Sequence, residues 1–234
     1  MNNSVRLIAA AVLSLAAGQA MAEGDSIDVR VTGQFIPPAC VPAVSGGAVF
    51  DFGSIKAASL AQDDYTVLGE KVLNFTVKCD SPMKVAFKTV DGRAGTAVNP
   101  VGKQIYNVVT TAGDRSFLGL GSFEGKNIGG YKMIIYTGNG FPFSLDGRSG
   151  EFAGLQSADN GQTWKQSGYW NNMYFSPVPD FLSSVGIRGT GQPQAFTTLS
   201  GNIRVKAAIN KGSELNLTKV IPLDGQATIQ MVYL

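Results

Sequence analysis

GQATIQMVYL, residues 225–234, closes the chain, and its reading decides the fold. Ala227, Ile229, Met231 and Tyr233 fall on one side of an extended strand, Thr228 and Gln230 on the other, before Val232 and Leu234 interrupt the alternation. A period of two marks a strand with one buried face. Chain ends fray unless something ties them down. An apolar strand that reaches the last residue therefore belongs inside a sheet, and its neighbours there bear on what the protein does.

The opposite end of the chain carries a similar pattern. In residues 26–36, Ile27, Val29, Val31, Gly33 and Phe35 share a face, with Asp28, Arg30, Thr32 and Gln34 opposite. A glycine in a strand interior weakens it and points to close approach of another backbone or to a shallow pocket. Pro37 and Pro38 then stop the pairing.

Between the two ends, short strand patterns recur. Residues 48–55 (AVFDFGSI), 72–79 (VLNFTVKC) and 83–90 (MKVAFKTV) read as strands, the last followed by the turn pair Asp91-Gly92. Residues 115–121 and 130–137 are strand-like around the glycines at 129 and 130, and 199–207 alternates. Residues 138–179, rich in Gly, Asn, Ser and aromatics, read as a long excursion with short strands. With 29 glycines and 10 prolines, turns are abundant and long helices are not expected. The pattern predicts one all-β sandwich. No repeat, low-complexity tract or internal linker divides it.

Composition narrows the function classes. Arg6, the apolar run 7–17 and Ala20-Met21-Ala22 have the form of a cleaved secretory signal over residues 1–22, leaving about 212 residues, enough for one well-packed domain. Without Arg6, 18 of the 19 basic side chains remain against 17 acidic ones, which gives no footprint for nucleic acid or for an anionic membrane surface. The two cysteines, Cys40 and Cys79, predict one disulfide in an oxidising compartment. Closing the loop between them stabilises the fold by about 4 kcal/mol in the chain-entropy picture. The chain has no histidine, so the commonest general base and metal ligand are missing. We expect no enzyme, no catalytic residues, no metal and no cofactor.

Few constellations carry chemistry. Asp91 with Arg93, and Asp146 with Arg148, read as turn residues making local ion pairs. Residues 159–164 (DNGQTW) read as a polar hairpin or loop. The aromatics Trp164, Tyr169 and Trp170, with Tyr174 and Phe175 close behind, either cover the sheet of an ordinary sandwich or present rings to a ligand such as a host glycan.

Signal, alternating N-terminal strand with an internal glycine, cysteine pair and alternating C-terminal strand stand in one order. In this the chain resembles subunits of bacterial chaperone–usher fimbriae, in an uncharacterised fimbrial-like branch. The resemblance rests on Val31-Thr32-Gly33-Gln34-Phe35-Ile36-Pro37-Pro38-Ala39-Cys40, on Phe52-Gly53, on Phe75-Thr76-Val77 before Cys79, and on residues 227–233 with their penultimate tyrosine. It implies an immunoglobulin-like, pilin-type β-sandwich lacking one strand, with an enlarged middle region between residues 94 and 202. Residues 23–36 would be a donor-type extension and 37–234 a single domain. Ile27, Val29, Val31, Gly33 and Phe35 would fill a neighbouring subunit's groove. Ala227, Ile229, Met231, Tyr233 and Leu234 would line the chain's own groove and meet a periplasmic chaperone, which holds the terminal carboxylate. The implied partners are that chaperone, an outer-membrane usher and neighbouring subunits. The implied route is the periplasm and then the cell surface. The alternative is a self-complemented secreted or periplasmic β-sandwich binding protein, in which residues 27–35 fold beside their own terminal strand.

Overall fold

In a computed structural model of the protein, residues 30–34, 39–138, 140–168 and 171–234 are described. The chain divides into two units, Met1–Ile36 and Pro37–Leu234. The expected signal and most of the alternating N-terminal segment, Ile27, Val29 and Phe35 included, lie outside the described residues. Within the first unit, residues 30–34 carry no regular secondary structure.

The second unit is an all-β sandwich whose described helical pieces are three short 3₁₀ turns. Its principal strands are β1 (Cys40–Val44), β2 (Lys71–Met83), β3 (Val85–Asp91), β4 (Gly129–Ile135), β5 (Phe152–Ser157), β6 (Met173–Phe175), β7 (Leu182–Ile187), β8 (Phe196–Ile209) and β9 (Ala227–Tyr233). One sheet runs β1-β2-β8-β4-β6, and the other runs from the short strand Lys165–Gln166 through β5-β7-β3 to β9 at its edge. Paired strands throughout are antiparallel. β1 lies on β2 with Cys40 opposite Cys79, and the disulfide joins that pair.

The core forms where the inward faces of the two sheets meet. Phe75 from β2, Phe87 from β3 and Phe175 from β6 make three edge-to-face contacts, with ring centroids 5.8, 6.2 and 6.1 Å apart. That is the geometry the ring quadrupole favours. Along β8, Leu199, Ile203, Val205, Ala207 and Ile209 are buried while Ser200, Asn202, Arg204 and Lys206 between them are only half-buried. The strand thus obeys the period-two rule over most of its length.

β4 departs from that rule for a reason. Tyr131, Met133 and Ile135 face the main core, while Ile134 joins a second cluster with Ile105, Tyr106 and Phe117. Ile105, Tyr106 and Phe117 thus cover the outer face of the first sheet at Ile134, so this part of β4 is buried on both sides. A strand covered on both faces reads as a continuous apolar run, as Met133-Ile134-Ile135 does.

Two sequence expectations are corrected. Residues 48–55 form no strand: Ala48 ends a 3₁₀ turn, 49–55 are unpaired, and the strand before them is β1, whose Pro42 breaks the apolar pattern. The excursion 138–179 carries short strands as expected, and of these β5 and β6 each join a sheet, with Phe152 and Phe175 in the core. Neither expected pair, Asp91 with Arg93 or Asp146 with Arg148, forms an ion pair among the described residues. Arg93 pairs with Asp224 at 2.7 Å, and Arg148 with Glu151 at 3.2 Å. Asp91 instead accepts the backbone N–H groups of Arg93 and Gly119, and Asp146 those of Thr197 and Thr198.

Candidate functional site

Among the described residues, β9 pairs along one side. Its seven residues, from Ala227 opposite Asp91 to Tyr233 opposite Val85, all face β3. Among the described residues no strand pairs with its other side. Its side chains alternate as the sequence predicts: Ala227, Ile229 and Met231 pack on the core, while Thr228 and Gln230 are exposed. An open edge with unpaired N–H and C=O groups is a template for a further strand.

Beside that edge lies an apolar groove of about 860 Å³. Its floor is formed by the inward faces of β4 and β8, through Met133, Ile203 and Val205. One wall is β9, through Ala227 and Ile229, and the other is Val44 with the unpaired stretch carrying Phe50 and Phe52. Leu215, Ile221 and Leu223, on the approach to β9, close it further. Asp51 and Lys219 are the charged residues along its lining. The apolar alternation of residues 48–55, read from sequence as a paired strand, is thus a groove wall.

Both ends of β9 are held. At its start, Arg93 Nε and Nη2 donate to the two oxygens of Asp224 at 2.9 and 2.8 Å, and Nη1 reaches Gln226 Oε1 at 3.2 Å. The bond from Arg93 keeps the Asp224 carboxyl below its ordinary value. Gly225 lies flat against Tyr131 there; a Cβ on it would sit 2.9 Å from Tyr131 Cε1. At the far end, the Tyr233 hydroxyl accepts the Cys40 backbone N–H at 3.0 Å, tying the last strand to the first beside the disulfide. The Leu234 N–H donates to the Lys84 carbonyl at 3.1 Å.

The other residues singled out from the sequence fare differently. Val31 is exposed and Gly33 is described with it. Trp164 is half-buried, and its Nε1 donates to the Gly161 carbonyl at 3.0 Å. It is thus built into the 159–164 turn, where Asp159 accepts bonds from Ser157 and Thr163. Tyr169 and Trp170 lie outside the described residues. Among the described residues, no group of three or more metal-ligating side chains occurs, and no helix is long and apolar enough to cross a membrane.

Fold and groove define a disulfide-bonded β-sandwich with one sheet edge unpaired among the described residues, and the disulfide fits a chain exported from the cytoplasm. A family model described as "Protein of unknown function (DUF1120)" matches residues 29–132. The chain is 30% identical to Protein GltF of Escherichia coli (strain K12) over 242 residues, 96% of this chain and 95% of GltF. It is 28% identical to Uncharacterized protein YhcF of the same strain over 246 residues, 100% of each. The chain belongs to the GltF family.

Proposed function

We propose that the chain is a structural or adhesive subunit of a surface fimbria, exported to the periplasm and assembled by strand donation through a chaperone–usher pathway. The observation that carries this reading is the unpaired edge of β9 beside an apolar groove. An alternating segment precedes the domain in the same chain. Strand addition to an open edge draws affinity from main-chain hydrogen bonds and specificity from alternate side chains in pockets. Val31, Gly33 and Phe35, with Ile27 and Val29, are spaced to supply those side chains to a neighbouring copy. A periplasmic chaperone would occupy the groove first, and the usher would template the exchange.

The competing reading has residues 27–35 complete their own domain. The chain enters that domain at Cys40, whose N–H bonds the Tyr233 hydroxyl at the end of β9. β9 spans about 23 Å, too far for residues 36–39 to cross at about 3.5 Å each. A self-supplied strand would therefore run parallel to β9. A strand from another copy is free of that tether and can run antiparallel, the slightly more stable pairing. This geometry favours donation between copies.

The test is co-expression of the mature chain, and of a variant lacking residues 23–35, with a periplasmic pilus chaperone. The full chain should form multimers, and the variant should stay chaperone-bound and unpolymerised. A full-length chain that is a stable monomer without any chaperone overturns the proposal in favour of self-complementation. Multimers that survive the deletion overturn both readings.

A further inference from the structure

A second concavity lies on the face of the first sheet opposite the groove. Lys132 on β4 points outward into it, while Met133 beside it points inward to the groove. It is a cleft of about 390 Å³ between the hairpin at residues 104–109, the outer faces of β4 and β6, and the Gln156 and Ser167 side of the second sheet. That volume lies in the range of sites for small ligands.

The lining chemistry is specific. At one side sits an ion pair largely removed from water: Lys132 Nζ and Asp114 Oδ2 are 2.5 Å apart, with side chains 12% and 19% exposed. Asp114 Oδ1 also accepts the backbone N–H and hydroxyl of Ser116 at 2.9 and 2.5 Å, and the Lys132 ammonium lies 4.5 Å from the Phe117 ring centre. Burial works to raise the Asp114 carboxyl, but the bonds from Lys132 and Ser116 outweigh it and hold the group ionised. The pair is closed on itself. The carboxylate has little left for a cation, and the ammonium is spent against an anion. What remains for a ligand is neutral polar chemistry, from the half-buried Gln156 and from Ser167 and Ser176, which are largely buried in the lining, against the buried Tyr106.

Tyr106 is held in an unusual way. Its φ is +51°, in the left-handed region that non-glycine residues rarely adopt. Asn107 follows at +63°, so the two form the tight turn of the hairpin. The Tyr106 hydroxyl donates to the Arg204 carbonyl at 2.8 Å, which fixes the ring as a rigid wall. Uncommon backbone conformations persist where the surroundings over-determine them, and they cluster at functional sites. A wall ordered in advance reduces the entropy a ligand must overcome on binding.

We propose that this cleft binds a neutral, polyhydroxylated ligand of about one sugar ring, with Gln156 and the serine hydroxyls at the lining bonding ring hydroxyls, and the buried Tyr106 forming the fixed back wall. The proposal does not rest on strand donation, because cleft and groove occupy opposite faces of one sheet and a filled groove leaves the cleft open.

The test is saturation-transfer NMR on the full mature chain with the methyl glycosides of glucose, galactose, mannose and N-acetylglucosamine at about 10 mM, and sialyllactose as the anionic probe. Transfer is expected to at least one neutral glycoside. Its affinity should fall about tenfold or more in both Gln156→Ala and Ser176→Ala, with the circular dichroism unchanged, while Trp164→Ala leaves it intact. The idea is overturned by no transfer to any neutral glycoside, by transfer to sialyllactose alone, or by transfer that both cleft variants retain.

Discussion

At the scale of single residues, the tightest constraints fall where two backbones touch. Gly154 on β5 packs against the chain entering β6: a Cβ there would lie 2.2 Å from the Asn172 carbonyl oxygen and 2.5 Å from the Met173 nitrogen. Neither is the movable end of a side chain, so Gly154→Ala must push two strands of the sandwich apart. We expect a loss of about 3 kcal/mol, the upper part of the usual overpacking range. It should appear as a lower urea midpoint with an unchanged slope. A midpoint within error of the parent's would show that the strands yield at no cost. Nothing in the local sequence marks Gly154 apart from its neighbours, because the atoms it must avoid come from another sheet. Tyr233 is the contrasting case: the alternation placed it correctly in the last strand, but its bond to the Cys40 N–H spans 193 residues and could be found only in the fold.

At the scale of elements, the disulfide ties β1 to β2 in register, and β1 in turn receives the end of β9 through Tyr233. Replacing Cys40 and Cys79 together with serine should destabilise the domain by about 4 kcal/mol, the entropy of the loop it closes. Because β1 also stands beside the groove, through Val44, the same variant should expose more apolar surface. It is checked by denaturation under oxidising conditions alongside dye binding; a variant as stable as the parent contradicts the expected role. Elements whose partners lie nearby, or whose one face is buried, were legible from sequence: β2, β3, β8 and β9 all carry their period of two. β1 was hidden because an edge strand tolerates Pro42. Residues 48–55 misled because an apolar pattern reports a buried face, and a groove wall supplies one without any strand partner. β5 and β6 were legible only as short strands somewhere in 138–179, because their bounds and partners are settled by distant strands. The cysteine pair and the terminal strand of the candidate site could be read; the groove's second wall and the outer cleft could not.

At the scale of the whole molecule, the absence of histidine shapes the response to pH. No side chain of ordinary pKa titrates between about pH 5 and 8 in such a chain. Hydrogen bonds from Ser157 and Thr163 push Asp159 down to about 2, and the bond from Arg93 lowers Asp224. At Asp114 and Asp146 burial works the other way, but hydrogen bonds prevail and both are lowered. A carboxyl lowered by folding contributes stability that is complete above its unfolded value and lost as pH falls through its folded value. That loss should run from about pH 4 down to about pH 2. Burial raises the hydroxyls of Tyr106 and Tyr131. For a group raised by folding the sign reverses: its contribution is complete below the unfolded value, about 10, and is lost as pH rises beyond it. The urea midpoint should therefore be flat from about pH 5 to 9, falling on both sides. On the acid side, the Lys132–Asp114 pair lines the outer cleft, so protonating Asp114 should loosen that cleft along with the fold. A step in stability centred near pH 6 would contradict this account, since no side chain with a lowered or raised value cited here titrates there.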